Sequence, residues 1–538
     1  MLREFFNDML TLLPSFRSFI GDSRANGLFE NTASVQFQKQ WKELVKKYSI
    51  LLDEPKDRID LDTLTTRWII KNETDLLKYP DVWMYITSYE NPILGFVVDD
   101  QYTYPLKTQH DVSNLVSRTK ARIPFIEDVM LEMKKGMARG RTIPQRICKK
   151  LILQLRHVIK TRQYCSTIPK NLDNTEYVEV IDKEYLPVLY KLLDFLRGFY
   201  KSCRKSIGLC YVSDGKDMYK AIVKSSTTLD ITPEEVHAYG IEETKRLYKE
   251  LEAFRNDLVH ELGLPKKEIS NRQLFQAIKS KEDEYYKNAN DILRAYREAQ
   301  EKIRQTIIPK YFGKNVAKYR VVKIPKLIQN SSSSVYYYPP SIKSKRRGAV
   351  FVNIGDTHLS PKYTIDLLSL HEGAPGHHYQ YQYMKEHNMP IYRIHAGDND
   401  AYTEGWALYC ESFANVSNPK ILFGRWIYSM LRAARLVVDT GINYYGWSYK
   451  RALAYMVKNV PLDVNDLYME LERYICDPGQ AISYKIGERF FIEERDKFVK
   501  MGHGTIKDFH NEVLECGPMP LGVLRQKLEH HITCVTKK

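Results

Sequence analysis

Long apolar segments are missing from this sequence of 538 residues. The apolar runs are short, as at residues 93–98, whereas a membrane-spanning helix needs about 20 consecutive apolar residues. Charged residues such as Arg3 and Asp8 interrupt the first 22 residues, where a secretory signal would be continuously apolar. We therefore expect no membrane span and a cytoplasmic location.

Cysteine is sparse, and its spacing contains no Cys-x-x-Cys pair. Without a secretory signal, scattered cysteines give little support to a disulfide framework. We expect reduced, mostly buried thiols at all eight positions. These are Cys148, Cys165, Cys203, Cys210, Cys410, Cys476, Cys516 and Cys534.

Acidic residues are fewer than basic ones, 66 against 81, which gives a net charge of +15. The excess is uneven, because residues 134–162 contain ten Lys or Arg residues and no Asp or Glu. Apolar residues interleave with them at helical spacing, so a basic helical face is predicted. A solvated outer face is the first interpretation, and contact with nucleic acid or a membrane surface is the second.

Helical periodicity dominates the chain, and Thr232-Pro-Glu-Glu235 has the residues that start a helix. Short β-branched and aromatic runs occur only at residues 319–324, 334–338 and 349–354, which predicts a small sheet. The predicted class is therefore mainly α. We place a boundary near residue 310, between a mostly helical lobe (1–310) and a lobe with the sheet and further helices (311–538).

Histidine is concentrated in one part of the chain. Six of the fourteen histidines lie within residues 358–395, and the centre of this stretch is His371-Glu-Gly-Ala-Pro-Gly-His-His378. The segment is similar to the HExxH motif of zinc peptidases with two residues inserted. In that motif, two histidines one helical turn apart bind zinc, and the glutamate reaches the attacking water.

The two inserted residues prevent a straight helix from presenting both histidines to one ion. On an ideal helix His377 is rotated by about 600° from His371, and His378 is aligned with it but lies about 10.5 Å away along the axis. Pro375 and Gly376 favour a bulge between the histidines. Excising Pro-Gly would place His377 in the second ligand position, so His377 is preferred and His378 is the alternative.

A catalytic zinc site needs a third protein ligand. The downstream segment YTEGWALYCE is typical of an apolar helix, and it carries Glu404. A carboxylate from this helix would complete a His-His-Glu site. Glu411, two turns further along the same face, is the alternative ligand or a carboxylate that supports the ligands. We therefore predict one zinc ion per chain, bound by His371, His377 and Glu404.

The chain resembles the bacterial domain-of-unknown-function family eight-eight-five along nearly its whole length. The likeness rests on HEGAPGHHYQ and YTEGWALYCE, together with GLCYVSDG, TTLDITPEE, RLVVDTG, GWS, DPGQAISYKIG, DFH and GPMPL. Members are predicted metallopeptidases, distantly similar to the glutamate-zincins of angiotensin-converting enzyme and neurolysin. The resemblance implies a two-lobed, zincin-like fold with a deep central cleft, a small sheet near the metal helix, and small peptides as substrates.

The resemblance also implies roles for individual residues. Glu372 is similar to the general base, and Tyr484 lies where a phenol could stabilise the oxyanion. Gln480, Lys485 and Arg435 are candidates for binding the substrate, for instance through a carboxylate.

Two further expectations come from the same likeness. Residues 351–354 would form the edge strand that pairs with an extended peptide. Asn443 stands where a histidine is expected, so an altered activity is expected if that histidine contributes to transition-state binding in relatives.

The leading functional hypothesis is a zinc metallopeptidase, either an exopeptidase or an oligopeptidase, because a deep cleft excludes folded chains. The alternative is a catalytically inactive protein of the same fold that acts as a binding or structural protein. In that case the basic face at residues 134–162 would contact its partner, with nucleic acid as the less favoured class.

Overall fold

Helices make up most of the computed structural model, which describes residues 1–53, 60–79, 86–89, 91–265, 269–325, 329, 333–340, 346–414, 417–530 and 532. Within these residues, no helix combines the length and the apolar character needed to cross a bilayer. The helices before the sheet are α1 Leu2–Leu12, α2 Pro14–Phe19, α3 Val35–Asp53, α4 Leu61–Leu76, α5 Pro92–Thr103, α6 Gln109–Ala138, α7 Gln145–Thr161, α8 Thr175–Val180, α9 Leu186–Phe199, α10 Gly215–Thr227, α11 Pro233–Glu261, α12 Asn271–Lys279, α13 Ala289–Thr306 and α14 Ile308–Tyr311.

The strands and the remaining helices follow residue 319. The strands are β1 Arg320–Lys323, β2 Val335–Tyr338 and β3 Ala349–Val352. The helices are α15 Lys362–Glu372, α16 His377–Glu386, α17 Ile391–His395, α18 Asp400–Glu411, α19 Pro419–Asn443, α20 Tyr449–Asn459, α21 Val464–Cys476, α22 Ser483–Lys500, α23 Ile506–Leu514 and α24 Leu521–His530.

The start of α11 lies where the sequence predicts it. The hydroxyl of Thr232 accepts a hydrogen bond from the amide of Glu235, and the Glu235 carboxylate accepts one from the amide of Thr232. Pro233 occupies the first helical position, where its missing N–H is not needed. Local chemistry alone therefore specifies this helix end.

The three predicted strands form one small sheet in the order β1-β3-β2. The central strand β3 is parallel to β1 and antiparallel to β2. The prediction that residues 351–354 form an edge strand is therefore wrong, because β1 and β2 cover both sides of β3. Apolar side chains of the sheet, including Val350 and Val352, pack with Tyr296 of α13 and Ile365 of α15.

The largest hydrophobic core crosses the predicted boundary near residue 310. It unites buried side chains of α6, α7 and α9 with those of α19 and α21. Helix α11 packs along α19, and a Cβ added to Gly240 would lie only 2.8 Å from the Cβ of Leu436. The segments 1–310 and 311–538 therefore share one core in the described residues.

Two glycines allow α18 and α22 to approach closely. A Cβ added to Gly405 would lie 2.5 Å from the Cα of Gly487, so a larger residue would push the helices apart. The first turn of α22, which carries Tyr484, is thereby held beside Glu404 on α18.

The described cysteines differ in their redox state. The thiols of Cys148, Cys165, Cys203, Cys210, Cys410 and Cys476 are free, as expected. Cys516 is disulfide-bonded, so the expectation of reduced cysteines throughout is wrong at this position. Cys534 lies outside the described residues.

Candidate metal centre

The inserted residues separate two helices instead of bulging one. Helix α15 ends at Glu372 and α16 begins at His377, so residues 373–376 form a short link. The indole Nε1 of Trp406 donates a hydrogen bond of 2.9 Å to the carbonyl of Pro375 in this link. The chain can therefore turn between the two histidines without relying on helical spacing.

This turn brings together the three residues that the sequence predicts as ligands. One nitrogen each from His371 and His377 and one carboxylate oxygen of Glu404 lie within 4.8 Å of one another. Oε2 of Glu404 is 3.4 Å from Nε2 of His371 and 3.5 Å from Nε2 of His377. His371 is buried, whereas the other two are half-buried and leave one side of the cluster open.

His378, the alternative ligand, lies outside this cluster. Its Nε2 is 2.7 Å from the carbonyl of Ala317, and its Nδ1 is 3.1 Å from the hydroxyl of Tyr337. Burial lowers the pKa of His378 to about 4, so the ring is neutral. Because both ring nitrogens are engaged with protein groups, His378 fixes α16 against β2 and the segment before β1.

Glu411, the other alternative ligand, lies behind His371. Its Oε1 is 2.8 Å from Nδ1 of His371 and 3.6 Å from a guanidinium nitrogen of Arg432. All three side chains are buried. Glu411 therefore orients the imidazole so that Nε2 faces Glu404, as a supporting carboxylate does at many metal sites.

Glu372 follows His371 and lies beside the edge strand β2. Burial raises the pKa of the Glu372 carboxyl, while the neighbouring His371 and His377 and the backbone of Tyr337 lower it. A carboxyl group whose pKa is raised toward neutrality is better suited to accept and return a proton than an ordinary surface glutamate.

Tyr484 approaches the cluster from α22. Burial, and next the charge of Glu404, raise the pKa of the Tyr484 hydroxyl to about 12, so the phenol is protonated at neutral pH. Arg473 donates a hydrogen bond of 3.1 Å to its oxygen. The phenol therefore keeps its own proton free for another acceptor.

Gln480, the first of the three predicted substrate-binding residues, is hydrogen-bonded within the protein at both ends of its side-chain amide. Its Nε2 donates a hydrogen bond of 2.7 Å to Oδ2 of Asp400, and Asp400 lies one turn before Glu404 on α18. Lys485 is buried, and its Nζ lies 3.0 Å from Oε1 of Glu243 and 2.6 Å from Oε2 of Glu488.

Arg435 is also bound within the protein. It makes two hydrogen bonds, of 2.9 and 2.8 Å, to the carboxylate of Glu470. Carboxylates of the protein therefore pair with both cations, and a role of Lys485 and Arg435 in substrate binding stays a prediction.

Asn443 is completely buried in the last turn of α19. Its amide donates to the carbonyls of Asp439 at 3.2 Å and Tyr474 at 3.0 Å, and its oxygen accepts from the amide of Leu209 at 3.2 Å. It also donates to the carboxylate of Asp439 at 3.3 Å, so this residue joins three segments of the fold.

A cavity of about 450 Å³ lies at the N-terminal end of α18, and its wall includes Thr403, the residue before Glu404. Asp398 and Asp400 line it together with aromatic side chains such as Phe16, Tyr338 and Tyr381. Asp398 is exposed at the cavity wall, where its Oδ2 accepts a hydrogen bond of 3.1 Å from the hydroxyl of Tyr381. The cavity therefore has acidic groups next to Glu404.

Sequence reasoning missed several residues of this region. Asp400 and Glu404 have the i, i+4 spacing that places two carboxylates on one helical face, and this signal was available. Tyr337, Arg432 and Arg473 have no local pattern that connects them with the histidine motif. They reach the site only because β2, α19 and α21 pack around it.

Two solved structures have the same fold. A protein from Colwellia psychrerythraea superposes with a TM-score of 0.87 at 18% identity, over 99% of this chain and 98% of that one. A protein from Shewanella oneidensis superposes with a TM-score of 0.75 at 16% identity, over 98% of each chain. Both are described as putative lipoproteins, the second of unknown function, and likeness at this identity shows the fold alone.

Comparison with curated proteins gives no match. The family described as "Bacterial protein of unknown function (DUF885)" matches residues 14–528, which is almost the whole chain. The HEGAPGHH and YTEGWALYCE segments lie within that match, as the sequence resemblance implied. The chain belongs to the DUF885 family.

Proposed function

We propose that the protein is a zinc-dependent peptidase that hydrolyses small peptides. The observation that carries this proposal is the convergence of His371, His377 and Glu404, with Glu372 next to them and Glu411 behind. A zincin-like, two-lobed arrangement with the metal at the floor of a cleft is part of the proposal. A location inside the cell stays a prediction from the sequence.

The three clustered side chains fit a zinc ion. Two ligand atoms about 2.0–2.1 Å from a tetrahedral zinc are roughly 3.4 Å apart, and Oε2 of Glu404 lies 3.4 and 3.5 Å from the two imidazole nitrogens. These separations are longer than ordinary hydrogen bonds. Oε2 of Glu404 is also buried and has no hydrogen-bond partner among the described residues. A bound cation would give this oxygen the partner that buried polar atoms need.

When bound, zinc would act as a Lewis acid on water and on the scissile carbonyl. Glu372 would accept a proton from the attacking water and return it to the leaving amine. Tyr484 would donate a hydrogen bond to the oxygen on which negative charge develops. Glu411 would keep the His371 ring oriented throughout.

Strand β2 is the edge that could pair with an extended peptide. Its inner neighbour is β3, and Tyr337 at its centre lies next to both His377 and His378. A substrate strand added to this edge would run past Glu372. In this proposal the peptide pairs with β2, and not with residues 351–354 as the sequence predicted.

The basic helix α7 gives the alternative function less support. Two of its cations, Arg146 and Lys150, pair with Glu472. Arg162, directly after the helix, pairs with Asp182. Arg141, just before α7, pairs with Asp214. These pairs reduce the charge available to a nucleic acid, and the face is typical of a solvated surface.

The proposal is tested by zinc analysis and by hydrolysis of a peptide library. We expect about one zinc per chain in the wild type and in Glu372→Gln, and little zinc in His371→Ala. Glu372→Gln should lower the hydrolysis rate by about 10²–10⁴-fold. The matched control is His110→Ala, which removes an exposed histidine far from the histidine motif in the sequence. This variant should keep both its zinc and its hydrolysis rate.

Two results would contradict the proposal. One is a wild-type protein that neither contains nor takes up zinc. The other is peptide hydrolysis that persists unchanged in Glu372→Gln.

A further inference from the structure

Three cations lie around the first turn of α22, and two of them are neutralised. Lys485 forms ion pairs with Glu243 and Glu488, and Arg435 makes a bidentate ion pair with Glu470. Removing a buried cation from such pairs would leave charged partners uncompensated. Both cations are therefore structural.

Arg473 of α21 is the third cation, and it has no carboxylate within ion-pair distance among the described residues. Its Nε donates to Oε1 of Gln480 at 3.1 Å, and Nη2 donates to the same oxygen and, at 3.1 Å, to the hydroxyl of Tyr484. These acceptors are neutral. Nη1 makes no hydrogen bond within the described part of the chain.

The guanidinium is held in a fixed orientation. Its carbon lies 5.3 Å from the ring centre of Tyr484, and two of its nitrogens are tied to neighbouring side chains. The side chain is half-buried and so is still reached by solvent. A half-buried, oriented guanidinium with a free nitrogen is a group that binds planar anions well.

The position of Arg473 connects it with the candidate metal centre. Tyr484 and Glu404 lie on α22 and α18, next to the contact between Gly487 and Gly405 at which the two helices touch. Gln480 bonds to Asp400, which precedes Glu404 by one helical turn and lines the cavity. Arg473 therefore lies beside the reacting centre, on the side of Tyr484.

We propose that Arg473 binds a carboxylate of the peptide substrate, with Gln480 and Tyr484 holding the guanidinium in place. This inference rests on the proposed peptidase function. It replaces Lys485 and Arg435 with Arg473 as the cation that selects the substrate. The carboxylate belongs either to the peptide C-terminus or to an acidic side chain, and the two sources are separable by experiment.

The test measures peptide binding, so that it does not depend on hydrolysis. Zinc-loaded Glu372→Gln protein is titrated with three forms of one fluorescent peptide: the free acid, the C-terminal amide, and an amide whose last residue is Glu. The titration is repeated with two double variants, in which Arg473→Met or Arg473→Lys is combined with Glu372→Gln. Arg425→Met, at a half-buried arginine without a hydrogen bond or ion pair among the described residues, is the matched control.

We expect the free acid to bind about tenfold or more tightly than the plain amide, as a charge-assisted hydrogen bond requires. Arg473→Met should abolish this preference, Arg473→Lys should keep part of it, and Arg425→Met should keep it all. If the amide ending in Glu binds as tightly as the free acid, an acidic side chain is a sufficient source of the carboxylate. If it binds like the plain amide, the C-terminus is required.

Equal binding of all three peptide forms would overturn the inference, and so would a preference for a carboxylate that survives in Arg473→Met. Zinc content and thermal unfolding are measured on every variant, which separates a lost carboxylate site from a misfolded protein. A failure of the peptidase proposal shows separately, as absent hydrolysis or absent zinc in the protein without these substitutions.

Discussion

A histidine can present either ring nitrogen to a metal, and the contact made by the other nitrogen decides which one. At His371, Glu411 contacts Nδ1 and leaves Nε2 facing Glu404. At His378, backbone and hydroxyl oxygens engage both nitrogens. Neighbouring histidines of one motif therefore have different roles because of the residues that surround them.

The supporting role of Glu411 can be measured through zinc affinity. In Glu411→Gln the charge behind His371 is lost, and we expect zinc to bind about 10–100-fold more weakly. Competition with a chromophoric chelator gives the affinity.

The control for this substitution is Glu494→Gln. Glu494 is also buried and accepts a hydrogen bond of 2.7 Å from Arg525, but it lies on α22, whereas Glu411 is the last residue of α18. Its loss should lower the free energy of unfolding and leave zinc affinity unchanged. Equal zinc affinity in Glu411→Gln and the wild type would remove Glu411 from the site.

At the scale of elements, the join between α15 and α16 determines the geometry of the site. The histidine motif could be identified from the sequence, and so could the need for a break at Pro375 and Gly376. That the break separates two helices could not be predicted, because its anchor is Trp406 on α18. Contacts between distant segments carry no local sequence signal.

The join is predicted to tolerate no side chain at Gly376. A Cβ there would lie 1.9 Å from the carbonyl oxygen of His371. This oxygen belongs to the backbone of α15, which holds the His371 side chain in place. We expect Gly376→Ala to displace His377 from His371 and to lose most of the bound zinc, as measured by elemental analysis.

A matched substitution is Gly198→Ala in the last turn of α9, where an added Cβ meets nothing within 4 Å. This variant should keep its zinc, and its free energy of unfolding should stay the same or rise by up to about 1 kcal/mol. Full zinc content in Gly376→Ala would show that the link can adjust.

The small sheet shows a second limit of sequence reasoning. The three strands were predictable from their β-branched and aromatic residues, but their order was not, because β1 pairs with β3 across the intervening β2 segment. One signal was present: the residues of β3 are apolar on both faces, which favours a central strand over an edge.

At the scale of the whole molecule, the mainly helical class followed from periodicity, whereas the packing of the lobes did not. Residues of α11 and α19 that face each other are almost 200 positions apart, as with Gly240 and Leu436. Because they share one core, neither the segment 1–310 nor the segment 311–538 has a complete interior of its own. The boundary near residue 310 remains a prediction.

We expect the isolated segment 311–538 not to fold. Without α11, the apolar face of α19 would be exposed, and each large side chain that loses its cover costs about 1.5–3 kcal/mol. Several such losses exceed the stability of about 5–15 kcal/mol that a typical protein has. Calorimetry of the segment should show no cooperative transition, and co-expression with 1–310 should restore one. A sharp transition of the isolated segment would establish an independent domain.

Asp398, Asp400 and the cation Arg346 lie together at the entrance of the cavity, so the local charge there differs from the net charge of +15. At physiological ionic strength the Debye length is about 8 Å, so a ligand at the entrance is screened from the distant basic helices. At low ionic strength the whole molecule contributes, and anionic peptides arrive faster while cations arrive more slowly. The surface charge therefore governs the rate of encounter, and the charges inside the entrance govern which ligand stays.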